Sequence, residues 1–223
     1  MLNYAVDPKI VAPLVPPGTE IDFEHGETFL SVVGFLFLDT RLLGLPIPLH
    51  RDFEEVNLRF YVRKKSADTW RRGVVFVHEL VPRRAIALVA RTFYGENYVA
   101  VPMKHQIDHV HPSVSVEYSW RRGRKWESLR MSANGEPQLI PAGSHAEFMT
   151  EHYWGYTCFR GGCSEYRVEH PRWKFWSVDK FELKADVAAL YGEQFVEPLS
   201  VPPRSAFIAD GSPIQVLLRE QLA

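Results

Sequence analysis

Two eight-residue runs, "SVSVEYSW" at 113–120 and "WESLRMSA" at 126–133, flank the basic loop "RRGRK". Each run places apolar and polar side chains alternately, the period of a strand with one covered face. A glycine-containing loop of this length between such runs predicts a β-hairpin. The pattern recurs along the chain. "TFLSVVGFLFLDT" at 28–40 reads as a long, mostly covered strand, with Gly34 at a bulge or a close approach. "EVNLRFYVR" at 55–63 alternates, with Leu58, Phe60 and Val62 on one side and Asn57, Arg59, Tyr61 and Arg63 on the other. "RGVVFVHEL" at 72–80 is a fitting hairpin partner for it, and "SEYRVEH" at 164–170 is expected to pair with "WKFWSVDKFELK" at 173–184. A last strand is expected over 212–220, and "RAIALVARTFYG" at 84–95 fits either helix or strand.

Helix signals are few. Asp7 before Pro8, with a stop at Pro16-Pro17-Gly18, marks a short helix. Ser144 with Glu147 three residues on is a capping box opening "SHAEFMTEHYWGY". Asp186 and Gly192 bracket a third helix. There is no βαβ rhythm and no glycine-rich phosphate loop, which argues against a doubly wound nucleotide fold. The expectation is one mainly β, antiparallel domain over residues 1–223, its sheet closed into a barrel because so many strands need an answer to exposed edges.

Composition excludes several classes. A net charge of −1 gives no basic field for nucleic acid, and 46% hydrophobic with 24% charged residues is ordinary for a globular chain. The longest apolar run, "FLSVVGFLFL", has ten residues, about half what a membrane-spanning helix requires. No membrane partner is expected. Two cysteines, Cys158 and Cys163 in "CFRGGC", point to a reducing compartment, and no signal peptide is evident, so a cytosolic setting is expected.

The chemistry-bearing residues fall into three groups. Lys104, in "YGENYVAVPMKH", sits beside His105 and eight residues after Glu96. An amine becomes a nucleophile where burial or a second cation lowers its pKa, and Glu96 or His105 would then move protons. "HQIDHVHP" gathers His105, Asp108, His109 and His111, but matches no zinc spacing; Pro112 suggests a loop nearby, and the plainer reading of the segment is a polar strand entry. No metal or cofactor is assigned. His145, His152 and His170 could join such a site only through tertiary contact. Asn57, Arg59 and Tyr61 share one face of their strand; that face is wet on an open sheet and lines a cavity in a closed one, where Arg59 would grip a carboxylate. The absence of Gly-x-Ser-x-Gly removes the simplest hydrolase reading.

The blocks "NYAVDPKIVAPLVPPGTEIDFEHGETFLSVVGF", "EVNLRFYVR", "ARTFYGENYVAVPM", "EFMTEHYWGYT" and "HPRWKFWSV" together resemble the DUF2071 (YqjF-like) family of uncharacterised, mainly bacterial proteins, over roughly residues 2 to 218. That family is similar in fold to acetoacetate decarboxylase, which implies an antiparallel barrel or cone around a mostly apolar pocket. The decarboxylases carry Pro-Lys-Lys, the first lysine forming a Schiff base and the second lowering its pKa. The nearest match here is Pro102-Met103-Lys104, which puts a methionine where the nucleophile would be. The resemblance therefore implies a protein that binds a small acidic or carbonyl-containing molecule through Asn57, Arg59, Tyr61 and Met103 without imine chemistry. The alternative is a decarboxylase-like lyase using Lys104 with Glu96 or His105. Family members tend to carry a further segment before "NYAVDP". An open strand edge, covered by a second copy of the chain, is the corresponding expectation for a structural or interaction role.

Overall fold

A computed structural model describes residues 1–38, 41–42, 45–46, 52–89, 97–159, 162–216 and 220–221. Among them, twelve strands have four residues or more: β1 (Leu2–Val6), β2 (Thr28–Phe37), β3 (Phe53–Ser66), β4 (Thr69–Val81), β5 (Met103–Val110), β6 (Ser113–Arg122), β7 (Lys125–Asn134), β8 (Trp154–Phe159), β9 (Gly162–Glu169), β10 (Lys174–Ser177), β11 (Lys180–Lys184) and β12 (Ser205–Ala209). The helices are short: α1 (Pro8–Val11), α2 (Arg84–Val89), α3 (His145–Thr150), α4 (Val187–Tyr191) and α5 (Val196–Ser200).

The strands form two main sheets. The larger runs β10-β12-β1-β2-β3-β4-β8-β9 through its middle, and the smaller runs β11-β7-β6-β5. The hairpins β3–β4 and β6–β7 form where alternation and turn residues predict them. Most pairs are antiparallel, but β8 lies parallel to β4, as does the three-residue strand Tyr98–Ala100. The chain is thus mainly β as expected, whereas neither sheet closes on itself among the described residues.

β3 is covered on both faces, so its two alternating rows have different neighbours. Leu58, Phe60 and Val62 pack into the space between the sheets with Trp120 of β6 and Leu129 of β7, and Leu190 and Phe195 join the same cluster. Tyr61 faces the other way, with Phe29 of β2, Val74 of β4 and Phe148 and Met149 of α3. Gly34 proves to be a close approach: a Cβ there would lie 2.6 Å from the Tyr118 ring of the opposite sheet. β2 and β3 keep continuous register past it. The one register shift in the β3–β4 ladder falls at Leu58/Arg59: Leu58 pairs with His78 and Arg59 with Phe76, which leaves Val77 as the extra residue of a β-bulge.

The caps behave as their chemistry requires. Asp7 Oδ1 accepts the Lys9 N–H at 2.9 Å and Ser144 Oγ accepts the Glu147 N–H at 3.2 Å. Glu147 Oε2 reaches back to the N–H of Gly143, not of Ser144, so the capping box forms in its first half only. Two further expectations are corrected. The helix begun at Ser144 ends at Thr150, and Trp154 onward is strand β8, which pairs with β9. The segment 173–184 is therefore not the partner of 164–170. It divides into β10 and β11, in different sheets, with only Val178 and Asp179 between them. The histidine-rich segment, read as a polar strand entry beside Pro112, is β5, paired along its length with β6. Within 84–95, residues 84–89 are helical and 90–96 lie outside the described residues. In the final stretch, the described strand residues are Gln215–Val216 and Glu220–Gln221.

Candidate functional site

The polar row of β3 is not wet. Asn57 and Tyr61 are fully buried and Arg59 is half-buried. Glu55 extends the row and is 1% exposed, as is Glu79, which stands opposite Asn57 on β4. Asn57 Nδ2 donates to Glu55 Oε1 at 2.9 Å, and the Tyr98 hydroxyl donates to Glu55 Oε2 at 2.7 Å. Burial pushes the Glu55 carboxyl up to about 7, even though these two hydrogen bonds and the Arg59 charge pull it down. Burial, with the Glu55 and Glu79 carboxylates beside it, also lifts the Tyr98 phenol well above its ordinary value.

At the other end of the row, Arg59 Nη2 donates to the Met149 carbonyl at 3.1 Å. The Tyr61 hydroxyl and Ser31 Oγ share a hydrogen bond of 2.6 Å, and Ser31 donates onward to Asn3 Oδ1 at 2.6 Å. Two buried polar atoms in the row, Arg59 Nε and Asn57 Oδ1, have no hydrogen-bond partner among the described residues. One is a donor and one an acceptor. Buried groups of this kind ordinarily find partners, which makes this donor and acceptor exceptions.

His152 lies against Tyr61, ring centroids 4.8 Å apart. Its Nε2 is 3.1 Å from Asp22 Oδ2, which also accepts the Arg72 Nε–H at 2.6 Å. Burial holds the imidazole down to about 4 despite Asp22, helped by the Arg72 and Arg59 charges. For Asp22 burial acts upward, but the hydrogen bonds and charges of His152 and Arg72 outweigh it and hold the carboxyl low.

The other sequence candidates lie elsewhere. Met103 packs against the cluster between the sheets, on the opposite side of β3 from Asn57, Arg59 and Tyr61. His105 Nδ1 is 2.7 Å from Glu54 Oε1. Lys104 is exposed, its ammonium 4.9 Å from the centre of the Trp126 ring. Glu96 lies outside the described residues. The histidine cluster disperses: His109 meets Trp176 edge-on at 5.6 Å, and His111 lies 3.2 Å from Glu136. Among the described residues no group of three or more His, Cys, Asp or Glu is placed to hold a metal ion. Cys158 and Cys163 face each other across the β8–β9 hairpin as free thiols.

Sequence reasoning missed Glu55, Glu79 and Tyr98. Glu55 was available, because it continues the alternation two residues before Asn57. Glu79 and Tyr98 depend on the register of β4 and on a parallel pairing that no local pattern encodes.

Two layered sheets with this strand order define an acetoacetate decarboxylase-like fold. Acetoacetate decarboxylase from Legionella pneumophila subsp. pneumophila str. Philadelphia 1 superposes with a TM-score of 0.54 at 12% identity, over 99% of this chain and 79% of its own. The enduracididine biosynthesis enzyme MppR, solved with pyruvate, gives 0.60 at 12% identity, over 98% of this chain and 82% of its own. The chain itself belongs to the DUF2071 family, an uncharacterized conserved protein family whose profile matches residues 1–213. The uncharacterized protein YqjF of Bacillus subtilis (strain 168) is 29% identical over 175 residues, 77% of this chain and 69% of YqjF.

Proposed function

We propose that this protein binds a small acidic or carbonyl-containing molecule on the covered face of β3, with Arg59 as the anion partner and Asn57 and Tyr61 as neutral hydrogen-bonding groups. The observation that carries the reading is the unpartnered pair Arg59 Nε and Asn57 Oδ1, buried two residues apart on one face. A carboxylate or ketone oxygen answers the guanidinium, and a hydroxyl or protonated acid answers the amide oxygen. MppR, a neighbour in fold, was solved with pyruvate, a molecule of this class; that supports the reading by analogy of fold alone.

The reading needs no imine. Methionine at 103 has no amine, and Lys104 lies on the other face of its strand from His105, so the two do not address one bound molecule. The test is calorimetric titration of the purified protein with pyruvate and acetoacetate, beside the Arg59→Met variant. Saturable binding that weakens about tenfold or more on loss of the charge-assisted hydrogen bond is the expected result. No heat and no thermal shift with any small oxo acid would reject the assignment.

A further inference from the structure

Three side chains from distant parts of the chain meet at a second place. His145, the first residue of α3, has its Nε2 2.9 Å from Ser205 Oγ on β12. Its Nδ1 is hydrogen-bonded to Glu24 Oε2. Glu24 is fixed by a tight turn: its N–H and carbonyl exchange hydrogen bonds with Glu27 at 3.0 and 2.9 Å, and the two residues between, His25 and Gly26, have φ of 50° and 85°. The His145 ring is seated edge-on against Phe29 at 4.9 Å.

A neutral imidazole between a carboxylate and a hydroxyl has one arrangement that satisfies all three groups. Nδ1–H donates to Glu24, and the Nε2 lone pair receives the Ser205 hydroxyl proton. Ser205 Oγ keeps acceptor capacity and takes the Asn3 Nδ2–H at 2.8 Å. The half-buried serine opens onto a groove of about 420 Å³ that Phe29 and Arg204 also line. That volume is within the range of small-ligand sites. Phe29 offers an apolar wall, and Arg204, whose Nη2 lies 3.3 Å from Glu27 Oε2, a guanidinium already paired with a carboxylate of the same groove. These groups lie in the order nucleophile, base, orienting carboxylate, which identifies a triad by geometry and not by sequence motif.

We propose that Ser205, His145 and Glu24 constitute a hydrolytic site for small carboxylic esters, separate in its residues from the Asn57–Arg59 row. Ser205 Oγ bonds to the ester carbonyl carbon as its proton passes to His145 Nε2. The bond to the leaving alcohol then breaks, and the alcohol departs with that proton. Water, deprotonated by Nε2, attacks the acyl carbon and releases the acid, and Ser205 regains its hydrogen. The sum is ester plus water to acid plus alcohol. Ser205 and His145 are the catalytic residues in this scheme, and Glu24 positions the imidazole.

The test is reaction of the full chain with diisopropyl fluorophosphate, followed by peptide mapping, with p-nitrophenyl acetate hydrolysis in parallel and a melting curve for every variant. The expected result is a phosphoryl adduct on Ser205 of the wild-type chain, labelled about 100-fold more slowly in His145→Gln. Ser205→Ala should lose the adduct. Glu24→Gln should slow labelling while Glu24→Asp recovers part of it, a rescue that a purely structural carboxylate does not give. A folded wild-type chain without label on Ser205, or equal labelling in folded His145→Gln, overturns the proposal. Both outcomes hold even if Ser205→Ala fails to fold, and neither depends on whether an oxo acid binds at Arg59.

Discussion

Met103 and Lys104 lie on opposite faces of β5: Met103 turns into the packing between the sheets, and Lys104 turns out over the Trp126 ring. Adjacent strand residues always diverge in this way. A Pro-Lys-Lys element read as Pro-Met-Lys therefore loses its inward amine, and the next lysine cannot replace it by sliding. Truncating Lys104 to alanine should leave oxo-acid binding unchanged and stability within about 0.5 kcal/mol of wild type. Borohydride treatment with pyruvate, followed by mass mapping, should find no adduct at residue 104; an adduct there would restore the imine mechanism.

Glu55 should make the fold less stable as the solution becomes more alkaline. Its carboxyl titrates near 7 in the folded chain against an ordinary 4.5, so the native state holds the additional proton between those values. Stability falls as pH rises from 4.5 to 7 and is level above, by about 3 kcal/mol at most. Glu55→Gln should remove that slope. Its absolute level also drops, because Asn57 and Tyr98 donate to different oxygens of Glu55 and the amide NH2 would stand against one of these donors, so the slope of denaturant-derived stability against pH is the quantity to compare.

His152 works in the opposite direction. Its folded value of about 4 lies below the ordinary 6.5, so the unfolded chain takes up the proton first as the solution is acidified. Stability is lost as pH falls from 6.5 towards 4. In the wild type this slope and that of Glu55 oppose each other over the shared window. His152→Gln should therefore expose the Glu55 decline, and Glu55→Gln the acid-side loss from His152. Two variants with slopes of the same sign in that window would contradict the assignment.

At Gly34 of β2 the Tyr118 ring of the opposite sheet occupies the space a side chain would take. Gly34→Ala should lower stability by about 1–3 kcal/mol through overpacking. Combining it with Tyr118→Leu, which frees that space, should cost less than the sum of the two single changes, as measured by a double-mutant cycle of urea melts.

Strands with a clean period of two, and the turns between them, were legible in the sequence. The β6–β7 hairpin needed only its alternation and "RRGRK", and the two rows of β3 separated correctly at Asn57, Leu58, Arg59 and Phe60. The alternation could not say whether the Asn57 row met water or protein, because a central strand covered on both sides keeps the pattern of a half-exposed one. β8 was hidden behind a sound helix-start signal: Ser144 does cap α3, but a cap carries no information about where the helix stops. His145 was visible as a lone histidine. Its meeting with Glu24 and Ser205 depends on contacts across 121 and 60 positions, which no spacing rule spans.

The corner at Val178–Asp179 sets a limit on how the two layers can move. There the backbone leaves one sheet and enters the other within two residues, pinned by Val178 N–H to the Ala206 carbonyl on one side and Asp179 N–H to the Ser132 carbonyl on the other. Each of these bonds lies within one sheet, so it is the covalent chain, held at both ends of a two-residue crossover, that ties one layer to the other. Separation of the two layers is accordingly smallest along this seam.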